Sequence, residues 1–298
     1  MALCECCARS IGQASAGVSL LMPAVAPLPT NHEPTRVLTT HESALARPVL
    51  FTTADVDCSL RRDGMFTRRG RDRLLAALCA DGTIVRVRRG LYARAHANGH
   101  GPAPWQVAAQ LAPDAVLGFG TALALRGVAP PAGVGSRCTY FTRHGTGRLG
   151  VVWRGVAMCP VSHPTALLRS GAAFVETEVM DGTGAGPLRV STLERTFVDL
   201  LERPRLTGAW PEVLRVVGTF PELDLDRVVC YVRCLDNATT AAKAGWILER
   251  CERQFGTTRT VLHRLEALRP RGPHYLSRTD RESGRYLARW RLVVPATL

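Results

Sequence analysis

Thr67-Arg68-Arg69-Gly70-Arg71-Asp72-Arg73-Leu74-Leu75-Ala76-Ala77-Leu78, then Asp81-Gly82, then Ile84-Val85-Arg86-Val87-Arg88-Arg89-Gly90-Leu91-Tyr92, is the stretch that decides the fold. At 100° per residue, Leu74, Leu75 and Leu78 fall on one apolar stripe of a helix, and Arg69, Arg73, Ala76 and Ala80 lie opposite. Thr67 is placed to cap that helix, because its hydroxyl can accept from an amide of the first turn. Asp72 lies beside the arginines and is expected to orient Arg68, Arg69 or Arg73. Asp81-Gly82 is a turn signal. The strand after it places Val85 and Val87 on one face and Arg86 and Arg88 on the other, with Arg88-Arg89-Gly90 at a hairpin tip. Upstream, Thr52-Thr53-Ala54-Asp55-Val56 opens a first short helix that ends near Arg61-Arg62-Asp63-Gly64. Two short helices, a tight turn and a basic hairpin in this order predict a winged helix-turn-helix over residues 47–96.

The charge distribution points the same way. Residues 61–94 hold 10 Arg against 3 acids, and residues 259–291 hold 9 Arg against 3 acids. These two blocks carry the formal net charge of +13, and the rest of the chain is neutral. Such clustering is an electrostatic footprint for a polyanion, chiefly for the first block. The chain has a single lysine, Lys243, so arginine content in itself says little. The residues expected to touch DNA are Thr67, Arg68, Arg69, Arg71, Arg73, Arg86, Arg88 and Arg89. Arginines near the start of the second helix suit guanine O6 and N7, and those of the hairpin suit phosphates.

At 298 residues and 46% hydrophobic content the chain can hold two domains, and no run of 18 apolar residues exists to span a membrane. Residues 1–46 lack helical or strand periodicity and read as a disordered extension. The apolar part of that segment is diluted by Gln13, Ser15 and Ser19, which argues against a signal peptide. Cys4, Cys6 and Cys7 have no second ligand pair at a zinc spacing, so neither a metal nor any other cofactor is expected. The other cysteines sit in apolar segments and read as small buried hydrophobes of a cytoplasmic protein.

After a linker at Ala97–Pro104, residues 101–298 read as a mixed second domain, giving an α+β chain overall. Helices are expected over Trp105–Leu111 and Gly120–Arg126. Strands are expected at Cys138–Thr142 and Val151–Trp153, joined by a hairpin loop at Gly145-Thr146-Gly147, and again at Val156–Val161 and Leu188–Val190. Ser191-Thr192-Leu193-Glu194 has the form of a capping box, with Ser191 as the cap. Helices follow at Ala209–Val217, Leu225–Leu235, Ala238–Phe255 and Val261–Leu268, and Tyr286–Val294 closes the chain as a strand.

No catalytic set emerges. A P-loop, a dinucleotide glycine motif and a His-Glu-x-x-His pair are missing from the sequence. Gly135-Ser136 has no nearby acid pair for Mg²⁺, because the next acidic residue is Glu176. Asp224 and Asp226 stand where a helix cap explains them. Lys243 lacks the Glu of a nuclease Glu-x-Lys unit, since Ala241 stands there.

Three segments together resemble the AbiEi-type antitoxins of type IV toxin–antitoxin (abortive infection) systems. They are the winged segment ending Ile84–Tyr92, the run Val190–Leu201 with Arg203-Pro204 and Gly208, and Ala242-Lys243-Ala244-Gly245-Trp246-Ile247-Leu248-Glu249. Where members of that family carry Gly-Gly, this chain has Gly208-Ala209. The resemblance implies a repressor of its own operon, dimeric on the inverted repeats of an operator. It also implies an antitoxin whose C-terminal domain counters a nucleotidyltransferase toxin in phage defence. Asp199 recurs in the second motif and is expected to cap or to pair with Arg195. Two rivals stay open: a stand-alone winged-helix transcription factor with a ligand-sensing second domain, and a winged-helix-linked nuclease.

Overall fold

A computed structural model of the chain describes residues 49–95, 101–130, 134–143, 150–182, 186–276 and 284–298. The N-terminal extension, the Ala97–His100 part of the linker and the Gly145–Gly147 loop lie outside the described residues. Within them the chain forms two compact units, 49–107 with 181–182 and 186, and 108–180 with 187–298. Helices and sheets are mixed throughout. Among the described residues no helix is long and apolar enough to cross a membrane.

In the N-terminal unit, β1 (Leu50–Thr52) leads into α1 (Thr53–Arg62), then α2 (Arg68–Ala80), β2 (Ile84–Arg88) and β3 (Leu91–Arg94). The strands form one antiparallel sheet in the order β1-β3-β2. A capping box starts α1: Thr52 accepts from the Asp55 amide, and the Asp55 carboxylate accepts from the Thr52 amide. Phe51, Val56, Leu60, Leu75, Leu78, Ile84 and Tyr92 make the core, with Leu74 packed at its edge, so the leucine stripe of α2 does face inward. The hairpin departs from simple alternation. Ile84 carries the buried face, Val85 and Arg86 are both exposed, and the register shifts between Arg86 and Arg88. The shift interrupts the alternation of faces along the strand, and Arg86 and Arg88 both stay exposed.

The C-terminal unit is built on a six-stranded mixed sheet and a layer of helices. In chain order it contains α3 (Pro104–Gln110, shared with the first unit), β4 (Val116–Leu117), α4 (Phe119–Leu125), β5 (Arg137–Thr142), β6 (Val152–Trp153), β7 (Val156–Ser162), α5 (Thr165–Arg169), β8 (Thr177–Asp181) and β9 (Pro187–Ser191). The strand order is β6-β7-β5-β4-β9-β8. β5 does not form a hairpin with β6, as the sequence suggested. It pairs in parallel with β7 from Arg137 to Thr142, and β6 pairs with β7 instead. The alternation of apolar residues marked the strands correctly but carries no information on direction. Residues 177–181 form edge strand β8, where Thr177, Glu178 and Asp181 are polar and all five side chains are half-exposed or exposed.

Helices α6 (Leu193–Glu202), α7 (Trp210–Val217), α8 (Leu225–Leu235), α9 (Ala238–Arg250), α10 (Glu252–Phe255) and α11 (Arg259–Glu266) follow. The cap of α6 is Thr192, one residue later than expected, because Ser191 is still the last residue of β9. Glu194 turns away from the cap to the Asp224 amide and to Arg227. The expected helix Ala238–Phe255 breaks at Cys251 into α9 and α10. The expected strand Tyr286–Val294 is two strands, β11 (Gly284–Leu287) and β12 (Leu292–Pro295), which pair with each other, while β10 (His274–Tyr275) runs parallel to β12. Every residue of α6 from Glu194 to Leu201 is buried, so α6 is the central helix of the unit.

Candidate functional site

Two places concentrate polar chemistry, one in each unit. In the first, Thr67 caps α2 by accepting from the Gly70 amide at 3.0 Å. Arg68, Arg69 and Arg73 are exposed and have no ion-pair partner among the described residues. Ala76, Ala77 and Ala80 lie exposed beyond them, leaving that flank of α2 free of bulk. Arg86, Arg88 and Arg89 are exposed on the hairpin, whose tip is pinned where the Thr53 amide donates to Gly90 O at 3.1 Å. Gly90 has φ of +82°, a conformation that glycine adopts without strain.

Arg71 is different from its neighbours. Its guanidinium lies 3.1 Å from Asp57 on α1 and 2.8 Å from Asp72, and its side chain is mostly covered. Asp72, chiefly, and Asp57 hold its pKa above the usual arginine value. Arg71 thus braces α1 against α2, and Asp72 serves Arg71 instead of Arg68, Arg69 or Arg73. Sequence could not separate them, because Asp57 is distant along the chain.

Four arginines of the second basic block are engaged in internal pairing. Arg264 pairs with Asp226, Arg269 with Glu266, and Arg289 with Glu249 and Glu266. Arg291 donates to the carbonyls of Pro270 and Arg271. These contacts knit α8, α9, α11 and the terminal hairpin together.

In the C-terminal unit a polar seam runs along α6. Arg195, which is 0% exposed, donates to the carbonyls of Ala173 and Val175 at 3.0 and 2.7 Å and pairs with Asp199 at 3.3 Å. The Tyr231 hydroxyl donates to the other Asp199 oxygen at 2.7 Å. Burial pushes the Asp199 carboxyl up, and Arg195 and Tyr231 act against that rise. The expected Arg195–Asp199 pairing is therefore present. Nearby His163 is buried with both ring nitrogens unpartnered among the described residues, and burial followed by Arg195 lowers it to about 4.

Glu202 and Lys243 continue this seam to the floor of an open cleft of about 1010 Å³. Lys243 is only 7% exposed; Nζ donates to Leu201 O at 3.1 Å and lies 5.4 Å from the Trp210 ring centre. Burial lowers Lys243 to about 8, and burial followed by Asp199 raises Glu202 to about 7. Sequence reading considered Lys243 only as a nuclease residue and did not single out Glu202 as a site residue. They lie on different helices, and their perturbation comes from burial. Two of the segments quoted for the family resemblance, the Arg203–Gly208 run and Ala242–Glu249, meet at this cleft. Among the described residues no three of His, Cys, Asp and Glu gather at metal-binding distance.

No protein-family model matches the chain, and no curated protein matches it. The fold is similar to that of the crystal structure of the RV2827C protein from Mycobacterium tuberculosis. The TM-score is 0.53 at 18% identity, over 87% of this chain and 90% of the other. At that identity the likeness concerns the fold alone.

Proposed function

We propose that residues 50–94 are a winged helix-turn-helix that binds double-stranded DNA, with α2 as the recognition helix and the β2–β3 hairpin as the wing. The observation that carries this reading is the set of exposed, unpaired arginines Arg68, Arg69 and Arg73 on one flank of a helix whose opposite flank is core. Unpaired cations on a rigid support are the groups that release counterions and read base edges. Thr67 keeps its hydroxyl for the cap, and Arg71 supports the helix from behind.

Following the resemblance to AbiEi-type antitoxins, the chain is a cytoplasmic repressor of its own operon, acting as a dimer on inverted repeats. Its C-terminal unit counters a nucleotidyltransferase toxin. DNA binding is tested by fluorescence anisotropy with a duplex covering the start of the chain's own operon and a scrambled duplex of equal length. Equal affinity for the two across salt concentrations would reject operator recognition. Antitoxin activity is tested by co-expression with the neighbouring toxin gene. The 101–298 fragment should rescue growth and the 1–100 fragment should not. A folded 101–298 fragment that fails where the full chain succeeds would reject this division. Rescue by no form of the chain would favour the stand-alone transcription factor.

A further inference from the structure

The cleft beside Lys243 takes no part in DNA binding as proposed above, and three independent features mark it as an anion site. The first is Lys243 itself. It is a cation more than nine-tenths buried, it uses one of its three N–H donors on Leu201 O, and no carboxylate lies within ion-pair distance among the described residues. Glu202, also on the cleft floor, attracts it only from beyond ion-pair distance, and a buried cation so weakly compensated gains from a ligand that brings negative charge. The second is the start of α7. Ala209 offers no side-chain cap, and the backbone amides of Ala209 and Trp210 find no acceptor among the described residues. Gly208 before them has φ of +146°, and Gly208, Ala209 and Trp210 all line the cleft. The third is Arg205, exposed on the same wall and without a partner among the described residues. Arg203 also lines the cleft, but its guanidinium is turned to Ser162 O at 2.7 Å.

We propose that this cleft binds a phosphate monoester of a mid-sized organic molecule. The phosphate lies against Lys243, Arg205 and the Ala209 and Trp210 amides, and the organic part lies along the Tyr275 wall. Charge selects phosphate over carboxylate: a phosphate monoester carries about −1.5 to −2 at neutral pH, which matches two cations and a helix N-terminus. Size selects an organic ester over the bare ion. A volume of about 1010 Å³ is at the upper end of small-molecule sites and far exceeds one phosphate group. Tyr275, 40% exposed, offers an aromatic face for the rest of the molecule.

The test is calorimetric titration of the full-length protein with adenosine 5′-monophosphate and ribose 5-phosphate as probes. Adenosine, inorganic phosphate and acetate are the controls. The same titrations are run on a variant carrying Arg69→Ala and Arg73→Ala, which removes phosphate binding by the basic helix. At least one ester should bind with Kd below about 1 mM in both backgrounds. Lys243→Met should weaken it by roughly tenfold or more, and Arg205→Ala by a smaller factor. If Lys243→Met does not fold, as judged by circular dichroism, the exposed Arg205→Ala decides alone. The proposal is overturned if neither ester binds, if binding vanishes in the Arg69/Arg73 variant, or if Arg205→Ala leaves the affinity unchanged. It is likewise overturned if adenosine, inorganic phosphate or acetate binds as tightly as the esters.

Discussion

Helix α2 contains a built-in comparison between an arginine proposed to touch DNA and one proposed to support the helix. Arg73 is exposed and unpaired among the described residues, whereas Arg71 is clamped by Asp57 and Asp72. If Arg73 makes a bidentate contact to a guanine, Arg73→Ala should cost about 1–3 kcal/mol on the operator. That is roughly a 5- to 150-fold loss of affinity, confined to sequences that carry the guanine. If it contacts phosphate instead, every duplex should weaken and the slope of log K against log[salt] should flatten by about 0.9. Arg71→Ala should do neither. It removes a brace between α1 and α2, so the module should melt earlier while slope and sequence preference stay as they were. The assay is anisotropy at four or five salt concentrations on matched operator and scrambled duplexes, below the melting point of each variant. A slope change in Arg71→Ala equal to that in Arg73→Ala would refute the reasoning, because it would show Arg71 leaving its carboxylates for the backbone.

Three further outcomes are expected. Asp199→Ala should destabilise the C-terminal unit by about 3–5 kcal/mol, because it strands the fully buried Arg195. Asp199→Asn, which can still accept from Tyr231 but strands Arg195 likewise, should cost somewhat less than Asp199→Ala, and a wild-type urea midpoint in Asp199→Asn would dismiss the charge pairing. Gly245→Ala places a methyl group inside the ring of Trp290, which is 1% exposed, and should cost at the upper end of about 1–3 kcal/mol without changing DNA affinity. Stability should also depend on pH through Glu202, raised from 4.5 to about 7, and Lys243, lowered from 10.5 to about 8. Between about 4.5 and 7 the folded chain binds more protons than the unfolded, so the Glu202 contribution falls as pH rises. Between about 8 and 10.5 it binds fewer, so the Lys243 contribution rises. Asp199, Arg203, Lys243 and Arg195 are the charged groups acting on Glu202. Glu202→Gln should flatten the acid limb in urea midpoints, and an unchanged limb would exonerate that carboxyl.

The first unit was legible because its signals are local. The Thr67 cap, the leucine stripe and the Asp81-Gly82 turn each operate within a few residues, and the elements fall where those residues put them. The hairpin was read less well, since the register shift between Arg86 and Arg88 breaks the simple alternation of faces that the sequence suggests. In the second unit the helices were legible from their apolar faces, and α8 has the expected bounds. The sheet order was not, because Leu117 meets Val190 and Arg137 meets Ala157 through contacts that no local pattern encodes. The cleft was illegible for the same reason. Glu202 looks like any helix-end carboxylate until burial and its neighbours raise it.

The contrast between local and distant pairing also sets an order of events on the ribosome. The helix-and-hairpin unit has its last strand once Arg94 has emerged, and its contacts close over short loops, which favours fast folding. The six-stranded sheet cannot join β4 to β9 until Val190 has been made, and its central helix α6 comes later still. During synthesis, therefore, the helices and strands of the basic module are all made while the open edge of β4 still waits for β9. Unpaired strand edges of that kind are prone to aggregate. A nascent chain of this protein is most vulnerable between roughly its midpoint and the emergence of α6, and slowing translation in that stretch should lower its soluble yield more than slowing it before Arg94.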